Sequence, residues 1–174
     1  MECGDQQRIG SVWGREGLRM LFRRVTREGW TRDTGLCQSV RDGVREPERA
    51  TRHSAGYDFF APYDIELAPH ESVTVPTGFG AVLDDDKFML LVPRSGLGFK
   101  YGLHLSNTCG IIDADYAANA ENEGHIWAKL VNGDLPLSIK KGTAFMQGII
   151  VKYYTIYNEK CDNERSGGFG STDR

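Results

Sequence analysis

The chain has 174 residues, 40% of them hydrophobic, which is enough for one domain with a sizeable core and a tail or two. Its formal net charge of -3 argues against a nucleic-acid surface, because such surfaces are usually basic. No apolar run approaches the roughly 18 residues of a membrane helix, and the N-terminus lacks a signal-peptide core, so we expect a soluble, cytoplasmic protein without a membrane partner.

The first 50 or so residues differ in composition from the rest. All their basic residues are arginines, and the first lysine of the chain is Lys87. Glycine is frequent and apolar periodicity is poor, which predicts a mobile N-terminal arm. Residues 21–25 are the first stretch with strand-like character. This favours Met20 as the natural start and residues 1–19 as a disordered extension.

From Ala50 onward, short alternating segments are separated by turns. Asn132-Gly133 is a strong turn dipeptide and predicts a hairpin between the segments on either side of it. Evenly spaced short strands with little helical periodicity predict an all-β barrel or sandwich, with one helix-like segment at Gly96 to Lys100. The predicted strands are residues 64–67, 72–75, 79–83, 88–92, 125–131, 135–139 and 145–157.

The stretch from Gly110 to Tyr116 is an apolar run that ends in two carboxylates and a phenol. On a strand, side chains alternate, so Asp113 and Asp115 would share one face. A carboxylate flanked by isoleucines is partly desolvated, which raises its pKa and suits it to act as a general base toward water. An Asp-x-Asp after an apolar run is also typical of a solvated strand end. The stretch alone leaves both interpretations open.

Four other polar clusters interrupt the predicted strands. An arginine, a hydroxyl and glycine amides at a strand-to-helix corner, as at residues 93–98, are typical of an anion-binding nest, although an ordinary turn has the same composition. Gln147 places an amide inside an apolar strand, where it is either a core hydrogen-bonder or a ligand contact. Asp58 is a turn residue or a functional acid. Residues 165–172 combine an arginine, two hydroxyls and an aromatic ring, as a closing flap requires.

Taken in order, these stretches resemble the five motifs of the trimeric deoxyuridine triphosphatase (dUTPase) family, and the resemblance covers about residues 20–174. It implies a distorted, jelly-roll-like β-barrel with at most one short helix over residues 20–158, and a flexible C-terminal flap over residues 159–174. It also implies hydrolysis of dUTP to dUMP and pyrophosphate with Mg²⁺, which limits uracil incorporation into DNA and supplies dUMP. The matching stretches read AGYDFFAP, PRSGLGFKYGL, GIIDADY, KGTAFMQGI and RSGGFGSTD.

The resemblance also implies a role for each matching residue. Asp113 corresponds to the carboxylate that orients and deprotonates the attacking water, and Tyr116 to the ring under the deoxyribose that leaves no room for a 2'-hydroxyl. Asp58 corresponds to the acid that holds the metal through water. The expected assembly is a homotrimer with shared sites. The other substrate contacts are the phosphate corner Arg94, Ser95 and Gly96, the uracil-binding residues Asn107, Gly110, Ile111 and Ile112, the phosphate contact Gln147, and the flap residues Arg165, Phe169, Gly170, Ser171 and Thr172.

The chain departs from the family pattern at three places. Residues 117–124 make the connection after the third motif longer than in many members. Residues 143–145 of the fourth motif read Thr-Ala-Phe where a charged residue and an arginine are common, and the fifth motif is one residue shorter, with Asp173 in place of a glycine. Two alternatives remain: a dCTP deaminase of the same fold, which would release ammonia, and a trimeric regulatory protein that senses a nucleotide.

Overall fold

The computed structural model describes residues 20–157 of the chain. It is mostly β, which confirms the predicted fold class, and no helix among these residues is long and apolar enough to cross a membrane. The helices are α1 (Arg27–Thr34), α2 (Gln38–Asp42), α3 (Ser95–Tyr101) and a 3-10 helix (Ala114–Ala118). The strands are β1 (Leu21–Arg24), β2 (Glu48–Arg49), β3 (Gly56–Phe60), β4 (Ile65–Leu67), β5 (Ser72–Pro76), β6 (Phe79–Val82), β7 (Lys87–Pro93), β8 (His104–Leu105), β9 (Gly110–Asp113), β10 (Trp127–Val131), β11 (Leu137–Ile139) and β12 (Ala144–Lys152).

The strands form four antiparallel sheets. The largest has five strands in the order β2-β3-β12-β7-β9, and the others have the orders β5-β10-β8, β1-β6 and β4-β11. Strand β7 shows why these segments become strands, because Met89 and Leu91 are buried in the core while the residues between them face the other side of the sheet. The five-stranded sheet therefore has one face on the core and one face directed outward.

Residues 20–50 are part of the folded domain, so the predicted mobile arm is wrong for this part of the chain. Strand β1 pairs with β6, and Trp30 of helix α1 is fully buried. Helix α1 has a Thr26 N-cap, and Gly35 ends it in the left-handed conformation. The arginines that indicated a solvated arm instead donate hydrogen bonds to backbone carbonyls, as Arg41 does to Val25 at 2.6 and 2.8 Å. This region adds two α-helices to the single short helix that the sequence predicts, which is present as α3.

The hairpin predicted at Asn132-Gly133 is also wrong. Strands β10 and β11 lie in different sheets, where β10 pairs with β5 and β8 while β11 pairs with β4. The reason is that Asn132 is buried and its side-chain nitrogen donates to the carbonyls of Ala68 and Leu135, at 3.0 and 2.7 Å. An asparagine that satisfies remote carbonyls directs the chain to a new sheet instead of a tight turn.

The last strand is shorter than predicted. Strand β12 ends at Lys152, and residues 153–157 continue as exposed chain outside any strand. The tyrosines in that tail misled the prediction, because aromatic residues favour strands but need a neighbouring strand on which to pack.

Candidate functional site

Three of the predicted site residues meet at one end of the five-stranded sheet. Asp58 on β3 lies directly across from Gln147 on β12, which in turn lies across from Val92 on β7. Two residues further along, Arg94 donates a hydrogen bond from Nη1 to Asp58 Oδ1 at 2.6 Å. Asp58 is only 6% exposed, so this ion pair compensates a buried carboxylate. We call Asp58, Arg94 and Gln147 the paired cluster.

Arg94 is held in the paired cluster by its backbone. It is the N-cap residue of helix α3, and its amide donates to the Phe145 carbonyl at 3.1 Å, which ties the helix start to β12. Ser95 and Gly96 form the exposed first turn of α3, where helix amides lack intrahelical acceptors. The corner therefore has the composition that an anion needs, and the phosphate contacts of Ser95 and Gly96 stay a prediction.

The position of Gln147 depends on a glycine. A Cβ atom on Gly56 would overlap Gln147 Oε1, so the amide lies where only a glycine leaves room. Gly56 begins strand β3, two residues before Asp58, and is in the stretch that matches the first motif. The sequence analysis did not assign it to the site. A close backbone approach is a known reason for glycine inside a strand, so the signal was present in the sequence.

The second group of predicted residues follows strand β9. Asp113 is the last residue of that strand, is exposed, and lies across from Phe88 at the start of β7. The chain then turns into the 3-10 helix, so Asp115 does not share a strand face with Asp113, and this expectation is wrong. The exposure of Asp113 also means that the flanking isoleucines do not bury its carboxylate in the single chain.

Tyr116 lies inside the 3-10 helix and is 4% exposed. Its hydroxyl donates to the His125 carbonyl at 3.1 Å and accepts from Asn122 Nδ2 at 2.8 Å. The ring is therefore fixed by the long connection that follows the third motif. Only a small part of its surface is available to a sugar, and the contact with deoxyribose stays a prediction.

Strand β9 lies at the edge of the five-stranded sheet, so half of its backbone groups point away from β7. Gly110 and Ile112 are buried, and only their backbone can reach a ligand, whereas the side chain of Ile111 is 52% exposed. Asn107 is exposed in the turn just before the strand, where the Cys109 amide donates to the Asn107 carbonyl at 2.7 Å. An edge backbone next to a tight turn can recognise a flat base through hydrogen bonds.

The two groups of residues do not meet within one chain. Asp113 lies opposite Phe88 at one end of β7, while Arg94 follows the other end, six residues or roughly 20 Å of extended strand away. Both groups are on the outward face of the same sheet, because Asp113, Ile111 and Gln147 alternate with buried neighbours. The described chain thus carries two separate groups of predicted site residues, which we call the half-sites, with an apolar surface between them.

No group of three or more histidine, cysteine or acidic residues between positions 20 and 157 could hold a metal ion. Asp58 is the carboxylate that the sequence analysis assigned to magnesium, and Arg94 occupies one of its two oxygens. A single carboxylate fits a magnesium ion that keeps its waters and is bound mainly by substrate phosphates. The proposed flap residues Arg165, Phe169, Gly170, Ser171 and Thr172 lie outside the described residues, as do positions 1–19.

A set of contacts behind the third motif was not predicted from the sequence. Arg23, Thr26 and Glu123 link strand β1 and the start of helix α1 to the connection after Tyr116. Next to them, His125 is buried against Trp30, and burial lowers the pKa of its imidazole although Asp33 lies 3.4 Å from Nδ1. Thr26 could have been recognised as an N-cap, but its partner is distant in sequence.

Comparison with known proteins identifies relatives over most of the chain. The family model described as dUTPase matches residues 43–173. The deoxyuridine 5'-triphosphate nucleotidohydrolase of Lactococcus lactis is 38% identical over 133 residues, which are 75% of this chain and 89% of that protein. The enzyme of the same name from Rickettsia felis is 40% identical over 134 residues, with 72% and 86% covered.

Solved structures that superpose on this chain include further dUTPases. The crystal structure of dUTPase from Streptococcus mutans superposes with a TM-score of 0.62 at 31% identity and covers 79% of this chain and 99% of its own. A dUTPase mutant from phage phi11 of S. aureus, whose structure describes a structural Mg(II) ion, has a TM-score of 0.61 at 20% identity and covers 85% and 99%. At 20% identity, the phage structure shows a similarity of fold alone.

Proposed function

This chain belongs to the dUTPase family, and we propose that it hydrolyses dUTP to dUMP and pyrophosphate. The observation that carries the proposal is that the family match, residues 43–173, includes every residue predicted for the site. The dCTP deaminase alternative is not favoured, because the relatives found are named for the hydrolysis of deoxyuridine triphosphate.

In the proposed reaction, Asp113 orients a water molecule and takes its proton as the oxygen attacks the α-phosphorus. The bond from that phosphorus to the bridging oxygen of the leaving pyrophosphate breaks in line with the attack. An exposed carboxylate at the end of a rigid strand supports this role, because a base must lie within hydrogen-bond reach of its water. Proton transfer of this kind contributes typically about 10² to 10⁴-fold, so positioning and electrostatics supply the rest.

The paired cluster is proposed to bind the phosphates. The Arg94 guanidinium carries several donors in a planar fork, and only its Nη1 atom donates to Asp58 in the described contacts. Gln147 lies across the strand pair from Asp58, the residue to which this fork is bonded. A fixed cation and an amide at one strand end suit a triphosphate whose charge shifts during pyrophosphate release.

The base and sugar are proposed to lie along β9. The edge backbone of Gly110–Asp113 and the turn at Asn107 would pair with uracil and reject the donor pattern of cytosine. Tyr116, held through its hydroxyl, would pack under the deoxyribose and leave no room for a ribose 2'-hydroxyl. Buried, hydrogen-bonded groups of this kind discriminate strongly because they cannot adapt to the wrong ligand.

We also propose that the enzyme is a homotrimer with shared active sites. The two half-sites lie about a strand length apart in one chain, so a complete site requires a second copy. The surface between them is apolar: Leu90 lies across from Ile111 on one side and from Ile149 on the other, all facing outward. Burial of this face between copies would bring Asp113 of one chain to the paired cluster of another.

Magnesium and the C-terminal flap complete the proposal. When bound, Mg²⁺ would neutralise part of the triphosphate charge, and Asp58 would contact it through water. The flap, with Arg165 toward the terminal phosphate and Phe169 over uracil, stays a prediction because it lies outside the described residues. A cytoplasmic location stays a prediction as well.

The proposal is tested with dUTP, dCTP, dTTP and UTP in the presence of magnesium, by measuring pyrophosphate and ammonia. We expect pyrophosphate from dUTP alone. Ammonia from dCTP would overturn the assignment in favour of a deaminase, and tight dUTP binding without turnover would favour a nucleotide-sensing protein. Light scattering on the same sample tests the assembly, for which a monomer mass would refute the trimer.

A further inference from the structure

Residues 21–42, which form β1, α1 and α2, lie outside the family match of residues 43–173. They nevertheless contact the long connection that follows the third motif, residues 117–124. We call residues 21–42 the N-terminal clasp. The clasp joins the domain by pairing β1 with β6, and its fully buried Trp30 anchors it in place. A segment outside the family match thus reaches the part of the chain that follows the proposed base.

Arg23 holds both ends of that connection. Its Nη2 atom donates to the Ala117 carbonyl at 2.8 Å and to the Glu123 carbonyl at 2.7 Å. Ala117 belongs to the 3-10 helix that begins immediately after Asp113. One guanidinium therefore closes the loop that follows the catalytic strand, and a charged donor makes such hydrogen bonds stronger than neutral ones.

Glu123 makes the reverse contact to the clasp. Its carboxylate accepts from the Thr26 amide at 2.9 Å and from the Thr26 hydroxyl at 2.7 Å. The same hydroxyl accepts from the Gly29 amide at 3.0 Å as the N-cap of α1, and a Cβ atom on Gly29 would overlap the Glu123 carboxylate. The carboxylate thus lies against the positive end of the helix in a space that a glycine leaves open.

We propose that the N-terminal clasp positions Asp113 and Tyr116 for catalysis, with Arg23 and Thr26 as positioning residues. The clasp holds the 3-10 helix from the side, and the Tyr116 hydroxyl is bonded within the same connection, to Asn122 and the His125 carbonyl. This inference rests on the proposed dUTP hydrolysis. It extends the proposed site to a segment that contains none of the five motifs.

The proposal separates turnover from binding. The paired cluster lies on β3, on β12 and at the start of α3, whereas Arg23 and Thr26 bond to Ala117 and Glu123, so phosphate binding should be unaffected by their loss. If the 3-10 helix is less constrained, a smaller fraction of the bound substrate has Asp113 holding the water in line with the α-phosphorus. The same loss of constraint also weakens the rejection of a 2'-hydroxyl by Tyr116. Turnover and sugar selectivity should therefore fall together while the KM for dUTP stays constant.

The experiment compares Arg23→Met with Arg27→Met. Arg27 is an exposed clasp arginine whose side chain pairs with Asp42, within the clasp itself, at 3.1 Å. For Arg23→Met we expect kcat to fall roughly ten- to a hundredfold, KM to change less than about twofold, and the preference for dUTP over UTP to drop. Arg27→Met should match wild type in all three.

Hydrogen exchange and a second pair of variants keep the test decisive. Residues 114–124 should exchange faster in Arg23→Met and not in Arg27→Met, which is measurable even if the wild type does not turn over dUTP. Thr26→Val removes the hydroxyl and should repeat the loss of kcat, and Thr26→Ser should restore it. A wild-type kcat in both Arg23→Met and Thr26→Val would overturn the positioning role of the clasp while leaving the hydrolase assignment intact. A loss of kcat in Arg27→Met equal to that in Arg23→Met would do the same.

Discussion

The two proposed half-sites, at opposite ends of strand β7, differ in character. At one end, Arg94 and Asp58 are already paired at 2.6 Å, and the carboxylate is buried. At the other end, the exposed Asp113 belongs to the last residue pair between β9 and β7, after which the chain continues as a 3-10 helix. A group that binds charge benefits from a rigid preformed partner, whereas a base needs room for water and substrate.

This difference suits the two tasks proposed for the two ends of the sheet. The paired cluster is held by the pairing of β12 with both β3 and β7, and by the hydrogen bond from the Arg94 amide to the Phe145 carbonyl. The Asp113 end has strand pairing on one side only, because β9 is the edge strand. Its further support comes from the connection after Tyr116 and from the N-terminal clasp behind it. Substitutions at the two ends should therefore have different kinetic signatures.

The sharpest test of the difference is Asp113→Asn. An amide cannot accept the proton from water, so we expect kcat to fall about 10² to 10⁴-fold with nucleotide affinity retained. Binding is measured with a non-hydrolysable dUTP analogue and turnover by pyrophosphate release. Near-wild-type turnover would remove Asp113 from the base role, and a parallel loss of affinity would show that the two ends are not functionally separate.

Mixing two inactive variants tests whether the ends belong to different copies. Asp113→Asn is combined with the double variant Asp58→Asn, Arg94→Met, in which both partners are replaced so that no buried charge is left unpaired. If trimers form at random, roughly a quarter of the shared sites receive both intact ends, and activity should recover to that level.

The control mixes Asp113→Asn with Asp113→Ala, which should recover nothing. Native mass spectrometry establishes that subunits have exchanged. Exchange without recovery in the first mixture would contradict sharing of the site between chains, and would require the two ends of β7 to meet in some other way.

The sequence predicted what depends on local pattern. Strand β7 and helix α3 were predicted because alternation and a glycine-rich corner are encoded within a few residues. The site residues could be assigned to motifs for the same reason. Their division between two ends of one sheet could not be predicted, because it depends on the antiparallel register of β7 and β9, which the sequence does not specify alone.

The failures involve contacts between distant parts of the chain. Arg23 and Glu123 are separated by 100 positions, and neither is apolar or part of a motif. The arginine-rich composition of the N-terminus suggested solvation, but the guanidinium groups bond to carbonyls of the folded domain. At Asn132, buried carbonyl partners override a strong turn signal. In each case a long-range hydrogen bond determines the structure, and local propensity does not contain that information.

A smaller effect is expected at the paired cluster from Gly56→Ala. The added methyl group would displace the Gln147 amide, which is the flexible end of a side chain, so the strand itself should tolerate it. We expect the KM for dUTP to rise several-fold with kcat nearly unchanged, since Asp113 lies at the other end. In a Gln147→Ala background the substitution should add nothing. A loss of kcat in place of KM would contradict the separation of the two ends.

The smallest expected effect concerns stability and distinguishes the ends by pH. Burial lowers the pKa of His125 below its usual 6.5, with Asp33 and Glu123 opposing and Arg32 reinforcing the shift. The unfolded state therefore binds a proton that the folded state does not. Stability should fall as pH drops below about 6.5, by at most about 1.4 kcal/mol per pH unit, and His125 should contribute no slope above that value.

Denaturant unfolding at pH 7.5, 6.5 and 5.5, at one protein concentration, measures this slope in the wild type and in His125→Gln. The glutamine does not titrate, so the difference between the two proteins should be flat above pH 6.5 and should shrink below it. The Asp58→Asn, Arg94→Met variant retains His125 and should therefore keep the wild-type slope between pH 6.5 and 5.5. Equal slopes in wild type and His125→Gln would mean that the region behind the third motif is not where acid first weakens the fold.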